Sequence, residues 1–90
     1  MDFEWDPSKA AENSRKHRVG FEEAATAFGD SLALTFDDPD NSDEERRFLT
    51  FGVSDRGRLL IVSHTFRRRR IRIISARRVD RSERLIYEKG

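Results

Sequence analysis

In Asp2–Trp5 polar and aromatic residues alternate, which fits a short strand with Phe3 and Trp5 facing inward. Asp6-Pro7 then starts a helix: Asp accepts from free N–H groups, and Pro is tolerated in the first turn. This helix is expected from Pro7 to about His17. Its apolar side is thin, mainly Ala10 and Ala11, while Lys9, Asn13, Lys16 and His17 recur three or four apart and share a face. Val19-Gly20 breaks it. Phe21, Ala24, Ala25 and Phe28 follow an i, i+3, i+4, i+7 pattern, a second short helix with a core stripe. Glu22 and Glu23 sit in its first turn, where negative charge suits the helix dipole, and Gly29 ends it.

From there the period changes to two. Leu32, Leu34 and Phe36 alternate with Ser31, Ala33 and Thr35, which predicts a half-buried strand. Residues Asp37–Glu45, DDPDNSDEE, read as a mobile acidic loop, because the glycine and terminal Glu of the helix–loop–helix calcium motif are missing. Arg47–Val53 forms the next strand, with Leu49, Phe51 and Val53 on one face. Ser54–Gly57 is a turn in which Gly57 takes positive φ. Leu59–Phe66 and Arg70–Ala76 complete an antiparallel meander, with Arg67–Arg70 as the connection. In a regular last strand Ile71, Ile73 and Ser75 share one face, and Arg70, Arg72, Ile74 and Ala76 the other. Asp80 caps a C-terminal helix with Glu83 as its capping-box partner. Leu85 and Ile86 are expected to dock on the sheet, with Tyr87 close by.

The order β-α-α-β-β-β-β-α predicts one α+β domain over residues 1–90: an antiparallel β-sheet with two N-terminal helices and one C-terminal helix. Ninety residues hold one modest core, in which seven Phe, one Trp and one Tyr do much of the filling. The chain has no Cys, hence no disulfide and no thiolate metal site. Its acidic N-terminus shows no signal peptide and no run approaches a membrane span, so the expected location is cytoplasmic.

Charge changes the picture more than composition does. The net charge of +1 hides two opposed halves. Residues 1–45 hold four Lys or Arg against thirteen Asp or Glu, a net of −9, and residues 46–90 hold fourteen against four, a net of +10. Seven of those fourteen cations lie within Arg67–Arg78, and Arg67, Arg68, Arg69 and Arg70 are consecutive. Such density predicts an anionic partner, with phosphate contacts that weaken with salt and read little sequence. The alternative is that the two halves simply neutralise each other in the fold.

No phosphate-binding glycine loop, Ser/His/Asp order or Cys/His zinc spacing is present. The groups able to move protons are His17, His64, Glu83 and Tyr87. With a basic cleft they suit RNA cleavage, because RNA carries its own nucleophile, the 2′-OH. That reaction needs a base, an acid and cations around the charged transition state, and no metal or cofactor. Each candidate also has a structural reading. His64 alternates with Leu60, Val62 and Phe66 and so points to the same side as core residues; His17 at a helix end suits the dipole; Tyr87 packs with a hydrogen-bonded tip.

Phe3–Phe28, Glu44–Gly52 and Arg72–Arg77, with Glu83, Arg84 and Tyr87, together resemble the BrnT family of toxins. The resemblance covers nearly the whole chain, through Trp5-Asp6, Asn13, Lys16-His17, Phe21-Glu22 and Arg72–Arg77. The chain departs from that pattern at Arg18, where many relatives have Gly, and at Gly20, where Ser is common. The resemblance implies a RelE-like fold and a type II toxin–antitoxin toxin, an endoribonuclease that cuts mRNA and inhibits translation. It further implies a BrnA-like antitoxin with a ribbon-helix-helix part, a complex of two toxins and two antitoxins, and operator DNA reached only through the antitoxin. Its motif residues are Lys16, His17, Arg47, Arg72, Arg77 and Tyr87, with roles left open. The combined expectation is catalysis by His17 or His64 with Arg47, Arg72, Arg77 and Tyr87, and RNA binding by Lys16 and Arg67–Arg70. Arg72 and Arg77 share a face only if a bulge or strand end re-aims one of them. A non-catalytic module that binds RNA or an antitoxin is the alternative.

Overall fold

In the computed structural model, which describes residues 1–41 and 45–90, the elements follow the expected order. They are β1 (Asp2–Glu4), α1 (Pro7–His17), α2 (Phe21–Thr26) with a 3-10 turn at Ala27–Gly29, β2 (Leu34–Asp37), β3 (Phe48–Val53), β4 (Leu59–Arg67), β5 (Arg70–Arg78) and α3 (Arg81–Lys89). Of the acidic stretch, Pro39–Asn41 form a 3-10 turn; the mobile loop expected there falls in part on residues 42–44, outside the described residues. The sheet order is β1-β5-β4-β3-β2. Every pairing is antiparallel except β1 on β5, which is parallel.

Asp6 caps α1 as its position suggests, accepting from the Ser8 and Lys9 amides at 2.8 and 3.4 Å. Arg18 and Gly20 both fall on helix ends. Arg18 closes α1 with φ 57°, a left-handed position that favours Gly. Gly20 begins α2 without the side-chain cap a Ser would supply.

Helices α1 and α2 cover one face of the sheet. Val19, Phe21, Ala24 and Ala27 pack there on Leu60, Val62, Ile71, Ile73 and Ala76, with Phe3, Trp5 and Phe28 at the margin. A fully buried Phe or Leu contributes about 1.5–3 kcal/mol, so this layer carries most of the fold. Gly52 lies on the same face, opposite Leu60. A Cβ there would run into the Ala27 carbonyl, so only glycine lets the 3-10 turn approach the sheet. Glu23, expected simply to suit the α2 dipole, is buried. Its carboxylate accepts from Ser54 Oγ at 2.7 Å and Arg58 Nε at 2.9 Å, and Arg58 reaches on to the Arg18 carbonyl at 3.1 Å. The Arg58 guanidinium holds the Glu23 carboxyl below its ordinary range.

Strand β5 is not regular. Ser63 pairs with Ser75 and His64 with Ile73, which leaves Ile74 as the extra residue of a bulge. The grouping expected from strict alternation therefore holds only as far as Ile73. Ala76 turns into the core opposite Val62, while Ser75 and Arg77 turn outward on the face of Arg72. Asn13 secures this stretch. It is buried rather than presented to solvent: its amide donates to the Ala76 and Val19 carbonyls at 2.8 and 3.0 Å and accepts from the Ala76 N–H at 3.1 Å. The side chain thus pairs with the free edge of β5 as a neighbouring strand would.

On the other face, Leu34, Phe51, Ile61 and Arg77 form one row across four strands. Glu83 in the first turn of α3 pairs with Arg77, and a Cβ on Gly90 would touch the Leu34 side chain. Nine helical residues span about 13 Å, close to the roughly 14 Å of three strand spacings. The helix therefore lies along that row. Glu83 and Tyr87, four apart, are its inward residues, so Leu85 and Ile86 point outward at 52% and 46% exposure instead of docking. Phe36 is one row beyond the helix and is 43% exposed, although its ring meets Phe51 edge-on at 5.7 Å. Leu32 precedes β2 and is also exposed, which corrects the half-buried strand expected from Leu32 onward.

Candidate active site on the open half of the sheet

Because α3 covers only one row, the rest of this face stays open. The next row is Phe36, Leu49, Ser63 and Ser75. Beyond it come Thr65, Arg72 and Glu4, with Glu4 supplied by the parallel strand β1. Arg47 lies one residue past the β3 ladder, where Asp38 N–H still bonds its carbonyl at 2.9 Å. Continuing the register from the Phe48–His64 pair brings Arg47 opposite Thr65. The last row is Arg67, Arg70 and Asp2. The face thus grades from apolar beneath α3 to strongly basic at the β4–β5 turn.

Carboxylates hold several of these cations in place. Glu4 accepts from Arg72 Nη1 at 2.9 Å and stands 4.0 Å from Arg70 Nη1. Arg67 lies 3.3 Å from Glu45. Glu4, Arg67 and Arg68 line a concavity of about 410 Å³. Arg67 and Arg70 are a strand pair, so the four-arginine connection is really a two-residue turn of Arg68 and Arg69. Both have positive φ, 48° and 71°, the backbone for which Asn-Gly is best suited. Two arginines there hold a strained prong at the edge of the basic face. Replacing Arg68-Arg69 by Asn-Gly is expected to stabilise the fold by about 1–2 kcal/mol. The same change should lower the slope of log affinity for single-stranded RNA against log salt by about 1.4, two phosphate contacts. Urea unfolding and RNA titrations at several salt concentrations check the two halves.

The remaining candidates fall elsewhere. Arg77 is about 15 Å of strand away from Arg72 and is bound two-fold by Glu83, at 2.8 and 2.7 Å. The bulge puts Arg72 and Arg77 on one face but does not bring them to one phosphate. The pairing with Glu83 raises the Arg77 pKa and lowers that of the carboxyl. Tyr87 donates to Asp30 Oδ2 at 2.5 Å, and the same oxygen accepts from Val53 N–H at 2.8 Å. That bond raises the phenol pKa and lowers that of Asp30, so Tyr87 anchors the far end of α3.

His64 is in the core, 1% exposed, on the helix-covered face. Phe28, Phe48 and Phe66 surround it at 4.8, 5.9 and 5.6 Å between centroids. Its Nε2 shares a 2.8 Å hydrogen bond with Thr50 Oγ, and Thr50 another of 2.8 Å with Thr35 Oγ. Burial pushes its pKa down to about 4, so the ring is neutral near pH 7 and out of reach of a bound chain.

His17 and Lys16 end α1 and are exposed. With Lys9, Glu12, Asn13, Ile74 and Ser75 they line a cleft of about 240 Å³ at the free edge of β5. Ser75 belongs both to this cleft and to the open face. The helix face seen in the sequence therefore does meet the sheet, at the bulge. Glu4 was not singled out in the sequence. Alternation in Asp2–Trp5 placed it outward, but nothing local showed that β1 pairs with β5 and delivers it beside Arg72. Among the described residues no group of three or more His, Asp or Glu side chains converges as a metal's donor set would.

Residues 5–83 match the family model described as the ribonuclease toxin BrnT of type II toxin–antitoxin systems. Among solved structures, the chain is similar to the crystal structure of the Brucella abortus ribonuclease toxin BrnT. The TM-score is 0.68 at 19% identity, over 90% of this chain and 99% of that one. No curated protein matches the chain.

Proposed function

This chain belongs to the BrnT family of ribonuclease toxins of type II toxin–antitoxin systems, and from that premise we propose that it cuts mRNA without a metal ion, through attack of the 2′-OH on the adjacent phosphate. The observation that carries this reading is the cross-strand row Arg47–Thr65–Arg72–Glu4, cations and a carboxylate together on an open face. Arg72, steadied by Glu4, faces the scissile phosphate and offsets the charge that builds on its oxygens. Arg47 approaches from the β3 side. Arg67, Arg68, Arg69 and Arg70 gather the flanking backbone without reading bases. His17, exposed beside Lys16 at the edge shared with Ser75, is the imidazole able to deliver a proton to the leaving 5′ oxygen. Arg77 and Tyr87 act by seating α3.

Loss of cut mRNA would inhibit translation in the cytoplasm. The antitoxin expected for such a toxin is BrnA-like, with a ribbon-helix-helix part that alone contacts operator DNA, in a complex of two toxins and two antitoxins. No helix among the described residues is long and apolar enough to cross a membrane.

The test is incubation of the purified chain with single-stranded RNA in EDTA. The expected products carry a 2′,3′-cyclic or 3′ phosphate and a 5′-hydroxyl, and an all-deoxy oligonucleotide stays intact. Cleavage that appears only on adding Mg²⁺ rejects the mechanism. A second reading, a module that binds RNA or antitoxin without cutting, draws on the carboxylate partners already held by Arg67, Arg72 and Arg77. Binding with a steep salt slope and intact RNA would support it.

A further inference from the structure

We propose that Glu4 is the general base of this site, a catalytic residue that takes the proton from the attacking 2′-OH; the assignment rests on the 2′-OH mechanism above. Glu4 stands directly beside the arginine assigned to the scissile phosphate. It shares the row of Arg72, it lines a concavity together with Arg67 and Arg68, and its side chain is 26% exposed. Its two oxygens differ. Oε2 is pinned by Arg72 at 2.9 Å, whereas Oε1 stands 4.0 Å from Arg70, beyond hydrogen-bond distance. One oxygen is thus oriented by the residue that faces the phosphate, and the other keeps its lone pairs open to a hydroxyl.

The other carboxylates of this face are less suited. Both Glu83 oxygens are occupied by Arg77, and Oε1 also by the Asp80 N–H. Glu45 has both oxygens against Arg67 at 3.3 to 3.4 Å. Asp2 is exposed at the outer end of the last row. Among the imidazoles, His64 is sealed in the core, and His17, in the cleft beside Ser75, is already assigned to the leaving oxygen.

The step balances as follows. Glu4 Oε1 accepts the 2′ proton as the 2′ oxygen bonds to phosphorus. The P–O5′ bond breaks, and its electron pair leaves with the 5′ oxygen, which is protonated from His17 or water. The products are a 2′,3′-cyclic phosphate and a 5′-hydroxyl, and Glu4 returns its proton to solvent.

The experiment uses the full chain with a fluorescent oligoribonucleotide in EDTA, and its 2′-O-methyl analogue to read binding. Glu4→Gln keeps a hydrogen-bonding partner for Arg72 but cannot take a proton. Its cleavage rate is expected to fall by about 10²–10⁴-fold. Binding of the uncleavable analogue should stay unchanged or tighten as a negative charge is removed. Glu4→Ala should be equally slow and regain rate when formate supplies a carboxylate in the vacated space. Near wild-type cleavage by Glu4→Gln, with wild type still making the cyclic phosphate, overturns the assignment and leaves the ribonuclease mechanism standing. Binding that falls as far as cleavage, or no response of Glu4→Ala to formate, reduces Glu4 to an ion-pair partner and also overturns it. If wild type itself makes no cyclic phosphate in EDTA, the mechanism fails first and the base role with it.

Discussion

Arg72→Ala is expected to slow RNA cleavage by about 10²–10³-fold, the usual effect of removing one preorganised donor from a charged transition state. The loss should appear in the single-turnover rate more than in affinity, because the Arg67–Arg70 segment still holds the backbone on either side. Arg72→Lys should recover only part of the rate. A lysine ammonium is a compact point charge and lacks the rigid planar fork by which a guanidinium can brace Glu4 on one side and present donors to a phosphate oxygen on the other. Circular dichroism should be unchanged, since Arg72 is a partly exposed residue on the open face. Single-turnover cleavage at saturating protein, beside binding of an uncleavable analogue, separates rate from affinity. Arg72→Ala cutting at the wild-type rate would remove that row from the chemistry. Arg77→Ala makes the contrasting control: its ion pair seats α3, so its effect should be read first in thermal melting.

The largest effect on stability is expected from Asn13→Ala. The substitution strands the Ala76 N–H, the Ala76 carbonyl and the Val19 carbonyl in a buried place. An orphaned buried group costs about 1–3 kcal/mol. With some relief from water entering at the cleft, the total should be about 3–4 kcal/mol. Small domains have only about 5–15 kcal/mol in all, and each kcal/mol lowers the melting point of a chain this size by about 4–8 °C. The drop should therefore exceed about 12 °C. Asn13→Asp should do no better near neutral pH, because it keeps the acceptor but sets a negative charge against two carbonyl oxygens. Urea unfolding of both variants checks this, and a loss under about 1 kcal/mol would show that the Asn13 bonds are replaceable.

The element order was legible because each element carries its own local signal. Asp6-Pro7, the Phe21–Phe28 stripe, Gly57 and the Asp80–Glu83 capping box each mark a boundary through chemistry within a few residues. What was not legible depends on pairing. Whether Leu85 and Ile86 or Glu83 and Tyr87 face the sheet follows from where Arg77 and Asp30 wait, residues distant in sequence. Phe36 reads as a core residue by alternation, yet α3 stops one row short of it. His64 had two readings in the sequence, and its aromatic surroundings come from Phe28, Phe48 and Phe66, of which only Phe66 lies on its own strand. For the site, the dense arginines were visible as charge, but their division was not. The bulge at Ile74 puts Arg72 and Arg77 on one face, and each then pairs with its own carboxylate, Glu4 and Glu83. The need for a bulge could be stated from Arg72 and Arg77 alone, although nothing in that stretch marks Ile74 as the extra residue.

The parallel seam between β1 and β5 joins residues 68 positions apart. Such a contact cannot form while the chain is still short, because its partners do not yet both exist. A nascent chain that has α1, α2 and β2 to β4 still has an unpaired Glu4, because Arg72 comes only with β5. The pair therefore forms only after β1 to β4 have been made. The basic face is left incomplete until β5 has been read.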